Sequence, residues 1–202
     1  MQEKNLQHRK ILVATLPLIN ACLARLDLRK YLEEALGNAR YAAAIEVLVK
    51  SVLIEPAALY RIPKWAQQFE PDDIGACGLK DDVLGRALDK LFQSQRATLL
   101  TRLTMTAVRQ FEIDVSQIHT DSTSIKFYGA YKGQSKKGTQ LKRGHSKDHR
   151  PDLKQLIYNL SVARDGAVPI HFKTYDGNRT DDTLHIENWL TLRGVVGNSD
   201  FL

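Results

Sequence analysis

The chain has 202 residues, 43% hydrophobic and 26% charged, proportions that fit one or two folded domains and exclude wholesale disorder. Its longest apolar run, Ala42–Ile54, is interrupted by Glu46 and Lys50 and falls short of the roughly 20 apolar residues a membrane-spanning helix needs. The formal net charge is +6, and Met1–Lys10 is polar, without the apolar centre of a secretion signal, so the expectation is a cytoplasmic protein with no membrane partner.

In chain order, the first half reads as helical. Pro17 suits a helix start, and Leu18, Ala21, Cys22 and Leu26 follow it. Tyr31, Leu32, Ala35 and Leu36 continue at helical spacing to the stop signal Gly37–Asn38. Tyr41–Ile54 is the strongest helix, with Ile45, Leu48, Val49 and Val52 on one face. Pro56 allows a new start through Leu59, Ile62 and Trp65. Asp81–Asp82 opens another helix, its acidic first turn matched to the helix dipole, and Arg96–Phe111 forms the next. Leu79–Phe92 is the candidate recognition helix of a helix-turn-helix; a plain helical packing domain explains the same residues.

The pattern changes near Val115. Ser116–Tyr128 is rich in β-branched and hydroxyl residues and predicts a strand. Gly129–Gly144 is too polar for a core element and predicts a loop. Leu156, Tyr158, Leu160 and Val162 alternate along a second strand; Asp165–Gly166 signals a two-residue hairpin, and Val168–Tyr175 is the return strand. Asp176–Gly177–Asn178 makes a turn, Thr180 can cap a helix Asp181–Leu192, and Gly194 and Gly197 end it. The expected fold class is α+β, with a helical domain over 1–113 that could bind DNA and, over 114–202, three antiparallel strands followed by a helix. That order is how an RNase H-like core begins; its next strand would run parallel to the first after a right-handed crossover.

Cys22 and Cys77 lie outside any metal-ligand spacing and are expected to be reduced thiols. Charge is concentrated elsewhere. Between Lys126 and Arg150 eight basic residues stand against Asp148 alone, a local +7 on an otherwise nearly neutral chain. Such a block suits nucleic acid, although a solvated loop would look the same. Within it, Lys142, Arg143, His145, Lys147, His149, Arg150 and, just beyond, Lys154 are the candidate DNA-contacting residues. His145 and His149 have a spacing that could hold zinc on a helix, but Pro151 limits a helix there and no third ligand is near.

Asp121 is the candidate catalytic and metal-binding residue. It falls in the middle of a predicted core strand, in Ile118-His119-Thr120-Asp121-Ser122-Thr123-Ser124. A buried carboxylate is costly unless paired or bound to a cation, and Mg²⁺ takes carboxylate oxygens beside phosphate. An aspartate bonded to its neighbouring hydroxyls is the plainer account of these residues alone. Three runs add to it: His-Thr-Asp-Ser-Thr at 119–123, Arg-Gly-His-Ser-Lys-Asp-His-Arg-Pro-Asp-Leu-Lys-Gln at 143–155, and Tyr-Asp-Gly-Asn-Arg-Thr-Asp-Asp at 175–182. With them the chain resembles the DDE transposases of bacterial insertion sequences, in which an RNase H-like core follows a helical amino-terminal domain.

The resemblance implies metal-assisted cleavage and strand transfer of DNA, with Asp121 first of an Asp-Asp-Glu triad, Mg²⁺ or Mn²⁺ as cofactor, and the duplex of the transposon's terminal inverted repeats as partner. It also implies a homodimer or association with full-length transposase. The second aspartate and the glutamate of that triad are not identifiable here; Asp200 is not assigned the second role. The expectation is therefore a truncated transposase, inactive alone. The alternatives are a non-catalytic DNA-binding protein or transposition inhibitor, and a stand-alone nuclease, which would need carboxylates not found in the chain.

Overall fold

The computed structural model describes residues 15–76, 78–131, 138–144, 150–179 and 181–196, with the side chains of the last segment described over 186–194. The protein is α+β and divides into two compact units, Met1–Leu103 and Thr104–Leu202. Among the described residues no helix is long and apolar enough to cross a membrane.

The first unit is helical: α1 (Leu16–Arg25), α2 (Leu28–Leu36), α3 (Ala39–Ile54), the short α4 (Ile62–Ala66) and α5 (Pro71–Ile74), α6 (Asp81–Gln93) and the start of α7 (Arg96–Gln110). Local chemistry sets most of its boundaries. Pro17 sits in the first turn of α1, and Gly37 closes α2 in the left-handed conformation. The side chain of Asn38 caps α3 by accepting from the Tyr41 backbone N–H. The continuous helical spacing from Pro17 to Leu36 is broken in the structure by Asp27, at φ 53°, a conformation aspartate tolerates better than most residues.

Leu32, Ala42, Ala44, Val47, Ile62, Phe69 and Leu84 form the centre of the core. Beneath it α3 carries two charges into the interior. Lys50 is 2% exposed. Its Nζ lies 2.7 Å from Glu46 Oε1 and donates to the carbonyls of Asp73 and Ile74 at 3.2 and 3.0 Å. Arg29 holds the other Glu46 oxygen at 2.6 Å and donates to the carbonyl of Gly75. The end of the four-residue α5 is thus fixed to α2 and α3 by two cations and one carboxylate. Burial pushes the Glu46 carboxyl up, but hydrogen bonds from Arg29 and Lys50 outweigh it and hold the group below its ordinary range.

The second unit contains a three-stranded antiparallel sheet in the order β1 (Ile118–Phe127), β2 (Lys154–Ala163), β3 (Pro169–Asp176), followed by α8 (Asp181–Val196). The register pairs Asp121 with Leu160 and Phe127 with Lys154, and Leu160 with Phe172. Side chains alternate between two faces. One face, with Ile118, Thr120, Ser122 and Ser124 on β1, is covered. There Leu192 of α8 packs with Ile118, Ala163 and Ile170, Lys173 pairs with Glu187, and Tyr175 donates to Asn188 Oδ1 at 2.9 Å. The other face, with His119, Asp121, Thr123 and Ile125, is open.

Two sequence expectations are corrected here. The β2–β3 connection is longer than a two-residue hairpin: Arg164–Val168 lies between the strands, with Gly166 and Ala167 both at positive φ. Its closing bond runs from the Ala163 N–H to the Val168 carbonyl, and Pro169, with no N–H to give, opens β3. Gly194 does not end α8, which continues to Val196; a glycine inside a helix costs only about 1 kcal/mol.

Candidate nucleic-acid interface

Asp121 lies in the middle of an edge strand and on the open face, so its carboxylate is exposed. That corrects the desolvation argument, which required it to be buried in a core strand. One carboxylate oxygen accepts from the Ser122 N–H at 2.8 Å. Along β1 its neighbours on this face are His119 and Thr123. Across the sheet come Leu160 and then Phe172, the latter 40% exposed. Tyr158 and Phe172 meet on this face with ring centroids 5.8 Å apart. An exposed carboxylate can accept hydrogen bonds or ligate a cation without conformational change. A pair of divalent ions needs several carboxylates at one point. Among the described residues no three His, Cys, Asp or Glu side chains gather into such a group. The described residues therefore do not by themselves form the expected metal centre, and no metal-dependent step is assigned to them.

The basic residues fall at the other end of the ribbon. Lys154 pairs with Phe127, six residues from Asp121, which at about 3.3 Å per residue is roughly 20 Å away. Among the described residues, Lys142, Lys154 and Arg150 have partners within the unit. Lys142 Nζ sits 2.6 Å from Asp176 Oδ2. Lys154 donates to the carbonyls of Ala130 and Tyr131 at 2.9 and 3.1 Å. Arg150 grips Asp152 through two hydrogen bonds of 2.8 and 2.7 Å, which hold the Asp152 carboxyl down at about 2. Arg143 is exposed, close enough to Asp152 to depress its carboxyl further. His145, Lys147, His149, Thr180, Cys77 and Asp200 lie outside the described residues.

This end is built on a tight crossing. Lys142 and Gln155 exchange two backbone hydrogen bonds. Gln140 takes Asp176 Oδ1 on its N–H, and the buried Gln155 side chain donates to the Gly177 carbonyl at 2.8 Å. Two glycines let the segments cross: a Cβ at Gly144 would stand 1.9 Å from the Gly177 oxygen, and one at Gly177 would stand 2.0 Å from the Gln155 oxygen. Gly144, Gln155 and Gly177 belong to the second and third runs singled out in the sequence, so part of what those runs encode is this joint. Asp176 serves it too: hydrogen bonds from Lys142 and the Gln140 N–H hold its carboxyl below the ordinary range.

The sequence reading passed over Tyr128 and Tyr131. Tyr128 is 71% exposed and Tyr131 42%, with the Arg150 guanidinium 5.9 Å from the Tyr128 ring centroid. The available signal was the aromatic-glycine stretch Phe127–Tyr131 at the head of the basic block. In the first unit, α6 buries Val83, Leu84 and Ala87. Its remaining surface includes Asp81, Asp82 and Asp89 against Arg86 and Lys90, and Arg86 is already paired with Asp82. Such a surface does not neutralise phosphate, so charge lends no weight to α6 as a recognition helix.

Comparison with known proteins adds no relative: no family model, curated protein or solved structure matches this chain.

Proposed function

We propose that the chain is a DNA-binding part of an insertion-sequence DDE transposase, with Asp121 as the first carboxylate of its reaction centre and an RNase H-like core opening at β1. The observation that carries this reading is the position of Asp121. It sits exposed at the middle of an edge strand, on the face opposite α8, in an antiparallel β1-β2-β3 ribbon followed by a helix. Among the described residues β2 is the one strand paired with β1, and the opposite side of β1 is where a further strand would bring a second carboxylate beside it. The positively charged end of the ribbon supplies non-specific attraction for duplex DNA. Mg²⁺ or Mn²⁺ belongs to this reading through the sequence resemblance, with Asp121 as one ligand among several.

The test is gel-shift titration of the protein against duplex from the DNA flanking its own reading frame, which would contain the inverted repeats, across a salt series. Binding should weaken steeply with salt and exceed that of an unrelated duplex. Absent or salt-insensitive binding would refute the proposal. A second reading, a non-catalytic DNA-binding protein or inhibitor, is favoured because, among the described residues, no metal-holding group gathers at Asp121, and Asp176, also on the open face, lies at the far end of the ribbon paired with Lys142. Mg²⁺-dependent nicking that disappears in Asp121→Ala would exclude it.

A further inference from the structure

We infer that the Tyr128–Arg150 end of the ribbon is a second DNA contact, about half a helical turn from Asp121, and that the bound duplex runs along β1. The inference rests on the DNA-acting reading above and adds to it a position and a direction.

The structure at this end is pre-set. Tyr131 is held at φ 41° and Gly129 at φ 136°, with the Tyr131 ring closing on Gly129 and meeting Phe127 edge-on at 5.7 Å. Lys154 fixes the two following carbonyls, those of Ala130 and Tyr131. A surface loop this constrained still turns the Tyr128 ring outward, 71% exposed, and Asp152 fixes the plane of the guanidinium beside it. Lys142, Arg143, Arg150 and Lys154 stand here against Asp152 and Asp176, leaving an excess of positive charge. Planar guanidinium groups match phosphate oxygens, and an exposed aromatic ring packs on sugar or base.

Distance decides what this end can reach. It lies roughly 20 Å from Asp121 along the strand, so it cannot hold the phosphate that meets Asp121. Duplex DNA advances about 3.4 Å per base pair. A duplex touching both places along β1 therefore meets the cations about six base pairs from Asp121, a little over half a turn. A lone carboxylate repels phosphate, so the cations at the far end supply the grip while Asp121 faces the phosphate to be acted on.

The test is site-directed cutting. In a Cys22→Ser, Cys77→Ser background, Asp121→Cys and Tyr128→Cys each carry a tethered iron–EDTA group, and the bound duplex is mapped. The expected result is two cutting centres about six to seven base pairs apart. Coincident centres, or cutting from one position alone, would overturn the inference while leaving DNA binding intact. Failure of the unlabelled protein to shift the duplex would remove the proposed function and this inference with it. In parallel, Arg143→Ala should lower the slope of log affinity on log salt by about 0.9, whereas Arg40→Ala in the helical unit should leave it unchanged. Equal slopes for the two variants, or tighter binding of duplex RNA than DNA, would count as refutation.

Discussion

Replacing Lys50 by methionine tests how the helical unit is held together. Lys50 is 2% exposed, and its Nζ lies within hydrogen-bond distance of Glu46 and the carbonyls of Asp73 and Ile74. Methionine fills much of the volume but takes the Lys50 donor from the Ile74 carbonyl, leaves the Asp73 carbonyl with Asn20 Nδ2 at 2.8 Å, and leaves Glu46 with Arg29. Removing one partner of a buried ion pair costs about 3–5 kcal/mol. Arg29 keeps Glu46 compensated and is itself 35% exposed, which places the loss at the lower end, about 3 kcal/mol. For a domain near 100 residues that is a large fraction of total stability, and it moves the urea midpoint down by about 2 M. Fluorescence of Trp65, 4% exposed in this core, reports the transition in a Trp189→Phe background. The Glu46→Leu, Lys50→Met double variant should cost less than the sum of its parts by at least about 1 kcal/mol, since no buried charge is left stranded. A loss below about 1 kcal/mol for Lys50→Met alone would show that the buried cation contributes nothing net.

The Glu46 carboxyl is held below its ordinary value of 4.5. Its contribution should be complete above that pH and lost as pH falls through the lowered folded value, and Lys50→Met should shrink that acid-side loss in a series of melts. His171 is held below its ordinary 6.5 by burial and then by Lys173. The second unit should therefore weaken as pH falls below about 6.5, since the unfolded chain binds the proton first; His171→Gln should flatten that slope, followed through Trp189. Gly144→Ala and Gly177→Ala should each destabilise the second unit by roughly 3 kcal/mol or more, because their new Cβ atoms would stand 1.9 and 2.0 Å from backbone oxygens. Gly194→Ala, in α8 with nothing within 4 Å, should raise its melting temperature, a gain of up to about 1 kcal/mol. Asp121→Ala should change stability by less than about 0.5 kcal/mol, because the side chain is exposed, so lost DNA processing in that variant would not be a folding defect.

Features set by local chemistry were legible in the sequence. Pro17, Asn38 and Gly37 marked helix ends, Asp81–Asp82 opened α6, and alternation along Leu156–Val162 placed β2. Asp27 was not legible, since nothing nearby distinguishes a left-handed aspartate from a helical one. Glu46 and Lys50 were visible as interruptions of an apolar run, but their meaning lies in Arg29 and in the carbonyls of 73–75, which only tertiary structure brings near. Gly144 and Gly177 are 33 residues apart, and no local pattern announces that they cross. At the candidate site the identities of the basic residues were readable. Their separation from Asp121 follows only once the register ties Lys154 to Phe127.

The edge position of β1 in the described sheet gives Asp121 a second physical duty. Among the described residues β1 pairs with no strand but β2; the rim of an edge strand is a template for the same strand of another molecule, and charges placed along it act as gatekeepers against that lateral growth. The charged side chains on β1 are Asp121 and Lys126. Neutralising Asp121 to probe chemistry therefore also thins this colloidal protection, and light scattering should accompany every assay of such a variant.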